Sequence, residues 1–557
     1  MNPAWVRLPL LRAKVFGTFI TTFEFDELDR GPAADLYGMD VFAKRFVSAL
    51  LRFSDFDELH FFSRGPSRTL APGTLLGSDR RVRLWRLHDF ERALEQHDYH
   101  VLHDLWAPDI GPWTDVRNRF SRRNIPVTGL THSISYQTFL PRVLGTMLLG
   151  MRPWDSVICT AEPARTVMRN WVEHVRRELA ATIGAAIDFE GRLDKIPIGV
   201  DADEFCPRDK RAARLTLQLR QDDVVVLYVG RFSQYDKMDL HPLLLAFKST
   251  LERIASPRLT LLLAGAEGYH RYAETIEAFA ADLGIAERVI VRTNLDDAAL
   301  RETYAAADLF VSPSDNLQET FGQSIIEAMS CGLPVVCADW DGYKDVVVHE
   351  QTGYRVPTYW IACDKSISDY AGLSEWRRDL FCLSQSVSVD VPELSRAIER
   401  LVSNADLRRQ WGDEGRRRVL AHYDWRVIIP QYLDLWQALN QRASDAPTPT
   451  PQPSSWFRAE MFKTFQHYPT GIVGPATRVR PNGSRTFQWD PGLECVLRRE
   501  VLEAIRDGVG VEAAAGELEE KVRRVVDVSA DSFRFHLLWL LKYNHLTIDL
   551  ETLDLPG

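Results

Sequence analysis

The chain has 557 residues, and its 67 Lys+Arg stand against 77 Asp+Glu, which gives a formal net charge of −10. Hydrophobic residues make up 45% and charged residues 26%, the balance of a globular protein rather than a disordered or fibrous one. The acidic total argues against a dedicated nucleic-acid binder, and no apolar run reaches the roughly 20 residues that span a bilayer. The seven cysteines include no Cys-x-x-Cys pair and fit neither a zinc site nor a disulfide framework. We therefore expect a cytoplasmic, multidomain enzyme.

Apolar runs and helical periodicity alternate along the first three quarters of the chain. Residues 1–200 mix the two patterns, and from about 210 to 425 the alternation becomes regular. Strands that alternate with helices of 10–15 residues indicate βαβ units around a parallel sheet buried on both faces. The runs that carry this prediction are VVVLYVG (224–230), LTLLLAG (259–265), RVIVR (288–292), DLFVSPS (308–314) and PVVCAD (334–339).

The last quarter has a different composition. Residues 446–455, APTPTPQPSS, contain four prolines and predict a semi-rigid extended linker. Residues 456–557 carry helical apolar spacing in three stretches that end in a strand-like segment, which indicates a small, mostly helical, winged-helix-like module. Its 13 basic and 15 acidic side chains give little electrostatic support for DNA binding, so an interaction or dimerisation module is favoured.

The richest chemical pattern lies in residues 318–356. Glu319 is expected in the loop before a helix, and Glu327 on the second turn of that helix. Gly322 at the turn lets backbone N–H groups approach a ligand, and a helix N-terminus favours phosphate. One short element then presents a carboxylate to sugar hydroxyls, amides to a diphosphate and a second carboxylate to ribose hydroxyls. A solvated helix also carries such Glu pairs, but the Phe-Gly turn and the Cys-Gly stop favour the functional interpretation.

This pattern resembles the retaining GT-B glycosyltransferases of family 4, or glycosyl transferases group 1, the relatives of glycogen and sucrose synthases. The resemblance covers residues 195–440 well and 30–195 loosely, and it does not reach 456–557. The motifs that carry it are IPIGVD (196–201), GRFSQYDK (230–237), LLLAGAEG (261–268), the Glu319 to Glu327 block and the Tyr423–Leu439 segment.

The resemblance implies an α/β fold of the GT-B type. Two Rossmann-like domains then face each other across a cleft, 1–200 on the acceptor side and 201–425 holding the nucleotide-sugar donor. Residues 426–445 correspond to a helix that crosses back to the first domain. The linker 446–455 and the small helical module 456–557 complete the expected organisation.

The resemblance also assigns the donor-binding residues. Arg231 and Lys237 match the family's two cations at the donor diphosphate, although their spacing is one residue longer than is usual. Glu319 matches the carboxylate beside the donor sugar, and Glu327 matches the one that binds the ribose hydroxyls. Backbone contributions to the sugar and phosphates are expected from Gly230, Gly265, Phe321, Gly322 and Gln323.

The resemblance also suggests roles for two residues of the first domain, His132 and Gly38. His132, at the carboxyl end of a predicted strand, corresponds to a family histidine near the transferring sugar, with a purely structural histidine as the alternative. Gly38 opens a helix near the donor phosphates, where the family more often has a Gly-Gly pair. We list His132 with Glu319, Arg231 and Lys237 as the candidate catalytic residues.

The implied function is a retaining, metal-independent glycosyltransferase that needs no cofactor besides its nucleotide-diphosphate sugar donor. The sequence does not distinguish three kinds of acceptor for the sugar, which are a glycan, a lipid-linked molecule and a small molecule. The alternatives are a non-transferring GT-B enzyme such as a nucleotide-sugar epimerase, and an inactive nucleotide-sugar-binding regulatory protein. Neither the aspartate pairs at 222–223 and 296–297 nor the trio His97, His100 and His103 is expected to hold a metal.

Residues 139–154, FLPRVLGTMLLGMRPW, are apolar between flanking arginines. A core helix of the first domain is the favoured interpretation. The alternative is a segment that rests on the inner face of a membrane and meets a lipid-linked acceptor, which leaves peripheral membrane contact open.

Overall fold

The structure is a computed structural model. It describes residues 13–20, 38–63, 76–77, 79–106, 109–135, 145, 147–268, 271–361, 363, 367, 369, 373, 378–452, 459–483, 486–489, 493 and 496–554.

Two parallel sheets organise the first 360 residues. The first has seven strands in the order β3-β2-β1-β4-β5-β6-β7, and the second has six in the order β10-β9-β8-β11-β12-β13. Both orders reverse direction once, beside β1 and beside β8, which is the doubly wound pattern of Rossmann-like domains. The predicted two-domain α/β architecture is thereby confirmed.

The strands of the first sheet are β1 Val15–Ile20, β2 Glu58–Ser63, β3 Val82–Arg86, β4 Tyr99–Asp104, β5 Val127–Leu130, β6 Ser156–Cys159 and β7 Arg192–Lys195. Those of the second are β8 Val224–Val229, β9 Leu259–Gly265, β10 Val289–Thr293, β11 Leu309–Ser312, β12 Val335–Ala338 and β13 Gly353–Val356. Every residue of β8 is buried, as expected for a central strand covered on both faces. Four of the five apolar runs contain one of these strands, and the run 288–292 covers all of β10 except Thr293.

Helices connect the strands and cover both sheets. In the first half they are α1 Gly38–Phe53, α2 Phe90–Gln96, α3 Gly111–Phe120 and α4 Glu162–Ile183. In the second half they are α5 Lys210–Thr216, α6 His241–Arg253, α7 Tyr272–Asp282, α8 Asp297–Ala306, α9 Gln323–Ser330, α10 Tyr343–Val346, α11 Arg378–Ser384, α12 Val391–Ser403 and α13 Ala405–His422. Strands β14 Thr358–Trp360 and β15 Val387–Val389 form a separate antiparallel pair.

The long helix α14, Trp425–Asp445, packs on the first sheet although it follows the second in the chain. The Trp436 indole donates a hydrogen bond to Thr128 Oγ1 at 3.1 Å, and Asn440 donates to the carbonyl of His100 at 3.0 Å. Beyond it the backbone N–H of Gln452 donates to the carbonyl of Asn118 at 2.9 Å. The described part of the proline-rich linker is therefore held against the first half of the chain.

The described C-terminal residues form a small module with its own core. It contains α15 Met461–Thr464, β16 Arg478–Pro481, α16 Arg499–Val509, β17 Ala513–Ala514, α17 Ala515–Arg523, α18 Ala530–Lys542 and β18 Leu546–Ile548. The strands pair in the order β17-β16-β18, and apolar side chains from α16, α17 and α18 pack together beside them. Arg92 on α2 and Asp527 form an ion pair at 2.7 Å between this module and the first half.

The apolar stretch 139–154 is described only in part, since residues 136–144 and 146 lie outside the described residues. Met147, Leu148 and Met151 belong to the core of the first half, which is the favoured position for this stretch. Among the described residues, none of the helices combines the length and apolar character that a membrane span requires.

Candidate active site

Parallel strands place a site where the order of the second sheet reverses. Strands β8 and β11 are neighbours there, and the loops that follow them leave the sheet at its carboxyl edge. Ligands of open α/β sheets bind in the crevice outside this edge. The loop after β8 carries Arg231 and Lys237, and the loop after β11 carries Glu319.

Two glycines let the loops after β8 and β9 approach each other closely. A Cβ atom at Gly265 would lie 1.9 Å from the carbonyl oxygen of Gly230, and one at Gly230 would lie 2.4 Å from the Tyr228 hydroxyl. Phe232 donates its backbone N–H to the carbonyl of Ala266 at 2.8 Å, which fixes this contact. Both predicted glycines thus shape the loop that carries the two cations.

The two cations are held by neighbouring carboxylates. Arg231 Nη2 lies 2.9 Å from Asp236 Oδ1, and Lys237 Nζ lies 2.6 Å from Glu319 Oε2. The extra residue between Arg231 and Lys237 therefore does not take the lysine away from Glu319. The Arg231 and Lys237 side chains are 19% and 23% exposed, so both cations remain accessible to a charged ligand.

Glu319 lies in a buried, hydrogen-bonded position. Besides Lys237, its Oε2 accepts from the Tyr343 hydroxyl at 3.2 Å, and its Oε1 accepts from the backbone N–H of Phe321 at 3.4 Å. Burial by itself raises the pKa of Glu319, but the charge and hydrogen bond of Lys237, together with the hydrogen bonds from Phe321 and Tyr343, outweigh burial, so the pKa lies below its ordinary value. Glu319 is a carboxylate at neutral pH.

The turn after Glu319 positions the N-terminus of α9. Gly322 has φ +97°, a left-handed conformation that favours glycine, and a Cβ there would lie 2.6 Å from the Tyr343 ring. Helix α9 begins at Gln323, the residue that the sequence predicts. The Phe321 side chain is buried in the core, so only its backbone can face a ligand.

Glu327, on the second turn of α9, is almost completely buried. Its Oε2 accepts from the Tyr304 hydroxyl at 2.8 Å, and its Oε1 pairs with Arg45 on α1. The Arg45 guanidinium also lies 4.9 Å from the centre of the Phe205 ring. Arg45 and Tyr304 were not predicted, because nothing in their local sequence indicates that they meet Glu327.

His132 lies two residues beyond the end of β5. Its Nε2–H donates to the backbone carbonyl of Leu105 at 2.9 Å, and its ring packs against Phe42 of α1 at 4.8 Å. Burial lowers the pKa of His132 to about 4, so the ring is neutral at physiological pH. The helix that carries Phe42 begins at Gly38.

The loops that carry His132 and Glu319 touch each other. Thr320 Oγ1 donates to the backbone carbonyl of His132 at 3.0 Å, and Ser135 donates to the Gln318 side chain at 2.6 Å. These contacts bring the carboxyl edges of the two sheets together and form the cleft.

The aspartate pairs and the histidine trio discussed in the sequence analysis make the following contacts. Asp223 accepts a hydrogen bond from Thr260 at 2.6 Å, and Asp296 caps α8 by accepting from the backbone N–H of Ala299 at 2.7 Å. His100 packs against Phe56, and His103 bonds to Thr128 at 2.9 Å, whereas His97 lies beside Glu58, so the three histidines at 97, 100 and 103 do not form one cluster.

Two facing doubly wound domains, with paired cations and carboxylates at the carboxyl edge of the second, define a protein of the GT-B fold. Residues 209–380 match the model of the family described as glycosyl transferases group 1.

Part of the chain is also similar to curated glycosyltransferases. A D-inositol 3-phosphate glycosyltransferase of Mycobacteroides abscessus is 38% identical over 169 residues, covering 30% of this chain and 36% of the relative. The enzyme of the same name from Geodermatophilus obscurus is 30% identical over 293 residues, covering 50% and 61%. The chain therefore spans between about a third and three fifths of the length of these relatives.

Solved structures share the fold. Sucrose-phosphate synthase from Thermosynechococcus elongatus superposes with a TM-score of 0.53 at 22% identity, covering 77% of this chain and all of that one. Anabaena HepE in complex with UDP gives a TM-score of 0.52 at 16% identity, covering 78% of this chain and all of that one.

Proposed function

We propose that this protein is a retaining glycosyltransferase, which moves a sugar from a nucleoside-diphosphate sugar to a hydroxyl group of an acceptor. The observation that carries this proposal is the Lys237–Glu319 ion pair at the carboxyl edge of the second sheet, on the loops that also carry Arg231 and lead into the helix of Glu327.

The cations have the positions needed to stabilise a departing diphosphate. Negative charge grows on the leaving group as the glycosidic bond breaks, and fixed positive groups stabilise it most in the transition state. Asp236 and Glu319 hold Arg231 and Lys237 before any ligand arrives. This preorganisation, with the dipole at the start of α9, takes the place that a divalent metal has at other diphosphate sites.

Glu319 serves better as a hydrogen-bond acceptor than as a covalent nucleophile. Both of its oxygens are already engaged, Oε2 by Lys237 and Tyr343 and Oε1 by the Phe321 N–H. We therefore assign it to the hydroxyl groups of the donor sugar. Retention then follows from departure and attack on the same face, with the leaving phosphate accepting the proton of the acceptor hydroxyl, and positioning supplies much of the rate.

Glu327 and His132 complete the proposed roles. Glu327 accepts hydrogen bonds from the ribose hydroxyls, in an orientation that Arg45 and Tyr304 fix. His132, neutral and tethered through Nε2 to Leu105, contributes to the sugar subsite from the first domain. Gly38, at the start of α1, allows the phosphates to approach that helix.

We place the enzyme in the cytoplasm and assign residues 456–557 to contacts with a protein partner. The side chains of Phe462 and Val511 are 93% and 91% exposed on this module. Removing 456–557 is expected to leave sugar transfer intact and to abolish partner binding. Loss of transfer in a folded truncated chain would instead make the module part of the catalytic unit.

A thermal-shift screen tests the donor site directly. The purified chain is heated with UDP, GDP, ADP or dTDP and their sugar adducts, with and without Mg²⁺. A ligand at 100 times its Kd raises the free energy of unfolding by about 2.7 kcal/mol, which is readily seen as a higher melting temperature. We expect one nucleotide to shift the midpoint without Mg²⁺, and Glu327→Ala to abolish the shift.

Glu277→Ala is the matched control, since Glu277 is an exposed residue of α7. It should retain the shift. Absence of a shift with every nucleotide would contradict the proposal and favour an inactive regulatory protein. Conversion of the donor to an isomeric sugar nucleotide without an acceptor would instead identify an epimerase.

A further inference from the structure

A second group of side chains with metal-ligating chemistry lies at the opposite edge of the first sheet. Glu58 and His60 are two residues apart on β2 and point to the same face of the strand. His97 follows α2, just before β4 begins. Because Glu58 and Tyr99 are the first residues of their strands, this cluster lies at the amino edge, away from the crevice at the carboxyl edge.

The ligand atoms of the three residues converge. Glu58 Oε2 lies 2.8 Å from His60 Nε2 and 3.9 Å from His97 Nδ1, and one ligand atom from each residue lies within 4.8 Å of the other two. Nitrogen and oxygen ligands bind zinc at about 2.0–2.2 Å in a tetrahedral arrangement, so they lie about 3.3 Å from one another. Small side-chain rotations bring the three atoms to this spacing.

The unused nitrogen of His60 already has a supporting partner. Strand β1 lies between β2 and β4. Gly17 on β1 has no side chain, so the Tyr99 ring can lie over it; a Cβ atom at Gly17 would be 3.0 Å from the Tyr99 ring. The Tyr99 hydroxyl therefore reaches His60 Nδ1 at 2.7 Å. Histidine ligands of metals are usually oriented by such a hydrogen bond on the second ring nitrogen.

The cluster is accessible from one side. His60 is completely buried, whereas the Glu58 and His97 side chains are 29% and 28% exposed. The centre of the Trp85 indole lies 5.6 Å from the centre of the His60 ring and 5.4 Å from that of the His97 ring. Trp85 therefore covers another side of the cluster. An ion can therefore enter beside Glu58 and His97 and keep a water as its fourth ligand.

We propose that Glu58, His60 and His97 bind one Zn²⁺ ion at the amino edge of the first sheet. The ion binds His60 Nε2, and the ring proton then resides on Nδ1, where it is donated to the Tyr99 oxygen. Two imidazoles and a carboxylate form a set that suits Zn²⁺. The ion joins β2 to the turn before β4 and stabilises the first half of the chain; it takes no part in sugar transfer.

The experiment uses the full-length chain without an affinity tag, stripped with a chelator and then incubated with ZnCl₂. Unbound metal is removed by gel filtration, and bound zinc is measured by mass spectrometry. We expect about one zinc ion per chain, as for a three-ligand site with one open position. His97→Ala and Glu58→Gln should each weaken zinc affinity by about tenfold or more.

The matched control is His174→Ala. His174 Nδ1 lies 4.0 Å from Glu178, an exposed His–Glu pair outside the cluster, so this variant should bind zinc like the wild type. CoCl₂ added to the stripped chain is a second probe, because tetrahedral cobalt absorbs visible light. Its absorption should appear in the wild type and in His174→Ala, and should be lost in His97→Ala.

Two results would overturn the proposal. Either the stripped wild-type chain retains no zinc and gives no cobalt absorption, or zinc binds equally to wild type and His97→Ala. In the first case the three side chains form only a hydrogen-bond network around His60. Melting curves of the metal-free variants ensure that each comparison is made on folded protein. Nucleotide binding should not change in His97→Ala, which separates this site from the proposed glycosyltransferase site.

Discussion

Arg45 on α1 and Glu327 on α9 form a buried ion pair between the two halves of the chain. The residues are 282 positions apart, and their side chains are only 16% and 6% exposed. The carboxylate proposed to bind ribose is therefore oriented by a side chain of the opposite domain.

Arg45→Met should lower the free energy of unfolding by about 3 kcal/mol, because it leaves the buried Glu327 carboxylate without its cation. Combining it with Glu327→Gln should recover part of this loss, with a coupling energy of about 1–3 kcal/mol in a urea-denaturation cycle. Arg52→Met is the control: Arg52 is 53% exposed and lies 3.5 Å from its acidic partners. It should change stability by less than about 1 kcal/mol. Additive effects of the two cleft substitutions would contradict the coupling.

Lys237→Ala should reduce the rate of sugar transfer by about 10²–10³-fold, because it removes a cation from the departing diphosphate. Arg231→Ala should have an effect of the same order. Lys248→Ala provides the comparison, since Lys248 of α6 has a side chain that is 40% exposed and lies 3.9 Å from Glu252. Initial rates are measured with the donor identified by thermal shift. Turnover of Lys237→Ala close to that of Lys248→Ala would show that Lys237 does not contact the diphosphate.

Gly322→Ala should destabilise the protein more than Gly284→Ala, although both glycines have positive φ angles, +97° and +71°. A Cβ at Gly284 meets nothing within 4 Å, so this substitution should cost about 1–2 kcal/mol of backbone strain alone. A Cβ at Gly322 would lie 2.6 Å from the Tyr343 ring. It would therefore displace the Tyr343 hydroxyl, which donates a hydrogen bond to Glu319. Urea denaturation gives both losses, and donor titration should reveal weaker binding in Gly322→Ala only. Equal losses would mean that the turn adapts without moving Tyr343.

Acid should destabilise the protein through His103. Burial, with a smaller effect of His132, lowers the pKa of His103 to about 3, whereas the unfolded side chain titrates near 6.5. Between these values the unfolded chain binds a proton that the folded chain does not. The contribution of neutral His103 to the free energy of unfolding is therefore complete above pH 6.5. As the pH falls below 6.5, this contribution decreases by about 1.4 kcal/mol per pH unit.

His103→Asn should reduce this slope when unfolding free energies at pH 7 and pH 5 are compared. The asparagine variant loses the Thr128 contact at both pH values, so the difference between them isolates the proton. His174→Asn, on the exposed face of α4, should keep the wild-type slope. An unchanged slope in His103→Asn would assign the acid sensitivity to other groups.

Local sequence was sufficient for much of the fold. The apolar runs between residues 224 and 339 predicted strands β8 to β12, because parallel strands covered on both faces consist mainly of apolar residues. The turn at Gly322 and the helix from Gln323 were also readable, since glycine at a left-handed position and the following apolar periodicity are local signals. The placement of Glu319 before that helix and Glu327 within it followed directly.

Contacts between distant segments were decided only by the tertiary structure. No local pattern indicates that Arg45 meets Glu327, that Tyr343 donates to Glu319, or that Gly17 leaves room for Tyr99 to reach His60. Periodicity records which face of an element is buried, but not which side chain of another element lies opposite. The sequence by itself therefore determined the elements and the chemical types at the crevice, whereas the packing of two sheets and α14 decided which charges pair.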